Sequence, residues 1–179
     1  MDGINANGDV TGRWNSNGVY VRHSDGTFDL VPAPALDPAL LNGTSGNFID
    51  RGAVMYVGGL NSTDEVAGTV FRDIGFPETV DITQPFLLIG GNFSNFAVSV
   101  RLNAPENTSQ ALALNDGGVV VGYQNSAKTA FLREASGTLT TFTVGAVETV
   151  PTGINDSGMI CGYTVASVGG PVQGFVRLP

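Results

Sequence analysis

Few residues in this chain of 179 could do chemistry on a substrate. The single histidine, His23, stands in a predicted strand beside Ser24 and Asp25 at a turn. Adjacent strand residues point to opposite faces, so His23 and Ser24 do not make a nucleophile–base pair, and His23 reads as a solvated surface residue. The single cysteine, Cys161, lies in the apolar run Met159-Ile160-Cys161 and reads as a small core residue. It also rules out an internal disulfide. The Asn-Asp turns at Asn5–Asp9, Asn115-Asp116 and Asn155-Asp156 superficially suggest calcium loops. None has the roughly twelve-residue oxygen series closed by a bidentate glutamate that an EF-hand needs, so turn chemistry explains them. No acidic pair recommends itself for hydrolysis by paired carboxylates. The sequence therefore predicts no catalytic residue, no metal centre and no cofactor.

Two sets remain as binding candidates. Trp14, Tyr123 and Tyr163 fall at or beside equivalent positions just after a closing glycine, and exposed aromatic faces there would suit sugars. Five short strands each end in arginine, at Arg22, Arg72, Arg101, Arg133 and Arg177. Placed by rotation they would form a ring. Guanidinium forks suit carboxylates and other anions, but a residue repeated with the fold more often serves packing between units.

The elements that position these residues are repeats. GINANGDVTG (3–12), ALNDGGVVVG (113–122) and GINDSGMICG (153–162) align without gaps on the frame apolar-Asn-x-x-Gly-x-apolar-x-Gly. This frame is a β-hairpin in which Asn opens an Asx turn and the first Gly takes a left-handed conformation. Two weaker copies are read at 48–58 and 80–90, the first with two extra residues that mark a bulge or a longer strand. Further alternating strands follow Asp25-Gly26 and Ser136-Gly137, and the proline-rich stretch from Pro32 to Gly46 reads as a loop. The count is five units, approximately 1–38, 39–77, 78–105, 106–148 and 149–179, within a single domain. Lone three-stranded units bury too little to be stable, so they must stack. The expected fold is all-β, with three- or four-stranded antiparallel sheets in a small five-bladed β-propeller. An open solenoid or stack is the alternative.

Several residues carry a family resemblance: Ile4-Asn5, Gly8, Gly12, Leu114-Asn115, Gly118, Gly122-Tyr123, Ala130-Phe131-Leu132, Ile154-Asn155, Gly158, Gly162-Tyr163 and Gly174-Phe175. In these the chain resembles the bacterial HAF-repeat family of extracellular repeats. The family's histidine before Ala-Phe is missing, with Thr129 and Gln173 near its place. The resemblance implies an extracellular or cell-surface location and supplies no catalytic residues.

A net charge of −8 with one lysine repels phosphate backbones, so nucleic acid is excluded as a partner class. No apolar run reaches the length of a membrane span. No leader is visible after Met1, and the chain is expected to be cytosolic or trimmed from something larger. The function expected from all this is a non-catalytic extracellular binding module with carbohydrate or another small molecule as ligand. Self-association through open sheet edges, and an enzyme built on the propeller channel, are the alternatives.

Overall fold

The structure is a computed structural model that describes residues 2–15, 18–35, 49–75, 79–96, 109–125, 127–145 and 147–179. These form fifteen strands and no helix. Strands β1 (Gly3–Ile4), β2 (Val10–Trp14), β3 (Gly18–Arg22) and β4 (Phe28–Pro32) make sheet one, in that order. Sheet two is β5 (Ile49–Leu60), β6 (Val66–Gly75), β7 (Thr79–Ile89) and β8 (Asn92–Asn95). Sheet three is β9 (Ser109–Leu114), β10 (Val120–Gln124), β11 (Thr129–Arg133) and β12 (Leu139–Phe142). Sheet four is β13 (Glu148–Ile154), β14 (Ile160–Val165) and β15 (Val172–Arg177). Each is an antiparallel meander packed against the next, with first strands β5, β9 and β13 central to the contacts. That is the blade arrangement of a β-propeller.

The described residues therefore give four sheets where the sequence suggests five units. The described parts of the segments 48–58 and 80–90 are not hairpins: residues 49–58 lie in the long strand β5 and residues 80–89 in the long strand β7 of one sheet. The extra residues in the first are absorbed by β5's length and by register shifts at Asp50/Ala53 and Val57/Gly59. The hairpin of sheet two is Leu60-Asn61-Ser62-Thr63-Asp64-Glu65-Val66-Ala67-Gly68, which fits the frame with Asp64 in the first glycine's place. Gly8, Gly118 and Gly158 take φ of 84°, 74° and 80°, and Asp64 takes 61°. Asp tolerates this left-handed region better than most side chains, which is why the turn survives without glycine.

The frame's closing glycine has a separate cause. Gly12, Gly68, Gly122 and Gly162 pair in register with Tyr20, Phe86, Phe131 and Phe175 on the third strand of each sheet. Each aromatic ring lies over the glycine opposite it, in the space a Cβ would need. Phe86 and Phe131 are fully buried there. They join the two main clusters, one between sheets one and two around Val19, Met55 and Val66, the other between sheets two and three around Ala67, Leu87 and Val120.

At Gly122 an added methyl would meet both the Gln110 carbonyl and the Phe131 ring. Gly122→Ala is expected to destabilise the protein by about 3 kcal/mol, the upper end of ordinary overpacking, because one of the contacts is backbone. Urea denaturation measures this. Gly26→Ala, where the Cβ meets nothing within 4 Å, serves as the control; it carries only the cost of a left-handed φ of 93°.

Candidate functional site

The turn asparagines bind consecutive hairpins together. Asn5 Oδ1 accepts from the backbone N–H groups of Asn7 (3.0 Å) and Asp9 (2.9 Å), which closes its own turn. Its Nδ2 donates across to the Asn61 carbonyl at 3.0 Å. Asn61 Nδ2 reaches the Asn115 carbonyl at 3.4 Å, and Asn115 Nδ2 reaches the Asn155 carbonyl at 3.1 Å.

At the first junction this ladder meets the single histidine as well as carboxylates, whereas at the second Asn61 Nδ2 donates to Glu65 Oε2 at 2.6 Å with no histidine beside it. Asn5 Nδ2 also lies 3.0 Å from Asp9 Oδ2 and 3.2 Å from Asp64 Oδ1. The Ser24 N–H donates to Asp9 Oδ1 at 2.7 Å. His23, just past the end of β3, then sits among three carboxylates. Its Nδ1 is 3.8 Å from Asp9 Oδ1 and 3.7 Å from Asp64 Oδ2, and its Nε2 is 3.2 Å from Asp29 Oδ2. One donor atom from each of Asp9, His23 and Asp64 falls within 4.8 Å of the others, a spacing that can hold a metal ion. The group borders a cavity of about 600 Å³, whose apolar wall includes Leu30, Val31 and Leu88 and whose polar wall is His23, Asp29, Thr63 and Asp64.

The electrostatics follow from the contacts. The hydrogen bond to Asp29, reinforced by the charges of Asp64, Asp29 and Asp9, raises the His23 pKa above its ordinary 6.5. Burial and then repulsion from Asp9 push the Asp64 carboxyl up. Asp9 goes down, held ionised by the Asn5 amide and the Ser24 N–H. The reading of His23 as a lone solvated residue is thus corrected. Its partners come from turns 14 and 41 residues away, Asp9 and Asp64, which sequence adjacency does not reveal. The one available signal was Asp64 itself, an acid placed where the frame calls for glycine.

The sequence-selected residues are scattered. Tyr123 and Tyr163 both line a second cavity of about 530 Å³ with Gln110, Leu112 and Glu148. Tyr123 is largely buried and donates its hydroxyl to Glu148 Oε1 at 2.7 Å. Burial and then that carboxylate push its phenol pKa far above the usual value. Trp14 does not join them. The true equivalent of the tyrosines is Arg13, whose guanidinium lies 5.2 Å from the centre of the Tyr56 ring, and Trp14 points to the opposite face of sheet one.

The arginines do not form one ring. Arg22, Arg133 and Arg177 occupy equivalent third-strand positions, paired with Val10, Val120 and Ile160. Leu88 holds that position in sheet two, and Arg72 lies instead on a second strand, where it donates to the Pro34 carbonyl. Arg101 is outside the described residues. Arg133 stacks over Phe96 at 5.1 Å and Arg177 over Phe142 at 4.7 Å, each aromatic belonging to the preceding unit. Cys161 is exposed, because its strand is the middle of the last sheet and its side chain faces outward.

No family profile matches the chain, and no curated protein matches it in sequence. Among solved structures it is similar to selenomethionine-substituted virginiamycin B lyase from Staphylococcus aureus, at 13% identity and a TM-score of 0.40 over 97% of this chain and 68% of that one. A catalytically inactive variant of the virginiamycin B lyase from the same organism, with quinupristin, gives 14% and 0.38 over 97% and 68%. A streptogramin B lyase gives 11% and 0.36 over 88% and 59%. These proteins are enzymes, so the expectation of a non-catalytic carbohydrate-binding surface module is corrected. At such TM-scores their own activity does not carry across to this chain.

The raised pKa of His23 makes a pH prediction. A group whose pKa is higher in the folded state contributes stability below its unfolded value and loses it as pH rises through the folded value. The urea midpoint is therefore expected to fall as pH is raised from about 6.5 upward. His23→Gln should flatten that slope, and molar salt should weaken it in the parent protein. A midpoint equally pH-dependent in both proteins would contradict the assignment.

Proposed function

We propose that the junction of sheets one and two is a small-molecule site for acid–base chemistry, with His23 as the acid and Asp64 as the base. The observation that carries this reading is the convergence of His23 on Asp9, Asp29 and Asp64 at 3.2–3.8 Å beside the 600 Å³ cavity. His23, held as the imidazolium, gives its proton to a heteroatom of the bound molecule. Asp64, made more basic by burial and by Asp9, takes a proton from the same molecule. Transfer of that proton from Asp64 back to His23 through water restores both groups. Asp9 is a positioning residue, locked by Ser24 and Asn5.

Three carboxylates face one imidazolium, so the substrate class is neutral or cationic, with an apolar part that packs on Val31 and Leu88. Asp64 supports the reading in a second way: it holds a φ of 61° at the turn position where the other three hairpins have glycine, and so brings a carboxylate where they have none.

A second reading is favoured by the donor spacing of Asp9, His23 and Asp64, which suits a divalent cation. One experiment covers both. Labelled protein is titrated with neutral and cationic fragments, and separately with Mn²⁺ and Zn²⁺, while the His23 ring and Leu88 methyl signals are followed by NMR. Saturable movement of both signals with fragments is expected. Asp64→Gly, which restores the frame's own residue and leaves the fold intact, should weaken that binding at least tenfold, about 1.4 kcal/mol. Fragments that never perturb His23 would overturn the acid–base reading. Selective broadening of His23 by Mn²⁺, lost in Asp64→Gly, would favour the cation.

A further inference from the structure

Each sheet has two distinct faces. Residues Thr11, Ala67 and Val121 are equivalent, each one position before the closing glycine, and all three are fully buried by the sheet that follows. The side-chain hydroxyl of Thr69, two residues after Ala67, accepts from the Ala111 N–H of sheet three at 3.0 Å. Tyr123, two residues after Val121, reaches Glu148 of sheet four at 2.7 Å. The fourth equivalents, Cys161 and Tyr163, are exposed, together with Val172 and Val176 on the same face at 64% and 68%. Sheet four thus presents a face whose three counterparts are all covered.

The other face shows the reverse. Leu60 and Leu114, which precede the turn asparagines of sheets two and three, are buried to 8% and 9% exposure by the sheet before them, while Ile4 in sheet one is 63% exposed. On the same face of sheet one Trp14, Phe28 and Leu30 are exposed at 42%, 56% and 49%. Arg22 has no preceding sheet to stack on and folds back over its own Phe28 at 5.9 Å.

The asparagine ladder ends in the same way. It runs Asn5 to Asn61 to Asn115 to Asn155, and the two middle asparagines are buried. Asn155 is exposed, and among the described residues its Nδ2 donates to no acceptor. At the opposite end the Asn5 carbonyl receives no ladder donor. The aspartate rungs, Ser62 N–H to Asp116 and Asp116 N–H to Asp156, have no counterpart at Ala6, so only the asparagine rung can be continued.

We propose that these two faces dock on each other between copies of this chain: the Cys161–Tyr163–Val176 face of one copy covers the Ile4–Phe28–Leu30 face of the next, with Asn155 Nδ2 on the Asn5 carbonyl. The occupant is a second copy because each face is the repeat equivalent of one half of an interface the chain already makes three times. Such a contact is head-to-tail. It closes into a ring if the rotation allows, with two copies giving eight sheets, the upper end of common propellers, and otherwise propagates.

The test uses the full chain in sedimentation velocity at about 1 to about 100 μM, a range that brackets micromolar affinity. Dimers or head-to-tail polymers are expected. Val176→Asp and Phe28→Asp, both at exposed sites and checked for native circular dichroism, should each be monomeric alone. Mixed together they should form a dimer and nothing larger, since one intact face of each kind remains. Asn155→Ala should weaken the dimer by about threefold to tenfold, the loss of one hydrogen bond. A strict monomer throughout would overturn the proposal, as would a dimer that survives both aspartate substitutions. His23→Gln is expected to leave the mass unchanged, which separates this interface from the acid–base site.

Discussion

One side chain, the turn asparagine, does two jobs that a repeat protein must reconcile. Its carbonyl oxygen accepts from the backbone of its own hairpin and so fixes the local turn. Its amide nitrogen reaches the carbonyl of the next hairpin and so fixes the stacking of sheets. A single hydrogen bond of this kind contributes only about 1 kcal/mol. Its leverage is geometric, because turn and interface cannot be set independently when one planar amide serves both. The buried contacts behind it then find the same register at each junction.

The ladder also explains where an acid–base group could arise. A short polar side chain beside the first asparagine is already dehydrated and pre-aligned by the amide. Asp9 stands where Glu65, Val119 and Met159 stand in the other hairpins, and Asp64 stands where the others have glycine. Asp64 departs from the frame, Asp9 fills one of its open positions, and both turn toward the single histidine.

The class of fold was legible because glycine and asparagine act locally: a left-handed turn residue and an Asx turn announce themselves in any three faithful copies. The count was not, because sheet two keeps the geometry with a different residue. Asp64 satisfies the positive φ of the turn, while residues 49–58 and 80–89 of the apparent glycine frames belong to long strands. The arginine series misled for a related reason. Arg72 ends a Val-Phe-Arg run like its counterparts but belongs to a second strand, and only pairing partners distinguish the two. His23 was invisible as a site since its carboxylates arrive from separate turns. Tyr123 and Tyr163 line one cavity, whereas Trp14, one residue off register, faces away.

The pairing of a third-strand aromatic with a second-strand glycine has an evolutionary corollary. Its partners are separated by eight, nine, thirteen and eighteen residues in the four sheets, yet the cross-strand match is kept each time. The extra length therefore lies beyond the pair, at the rim opposite the asparagine ladder, as longer paired strands in sheet two and as a longer loop in sheet four. One rim is held by the asparagine ladder, and the other differs in length from sheet to sheet. Lineages of such a repeat could lengthen, shorten or exchange those loops without renegotiating the stack.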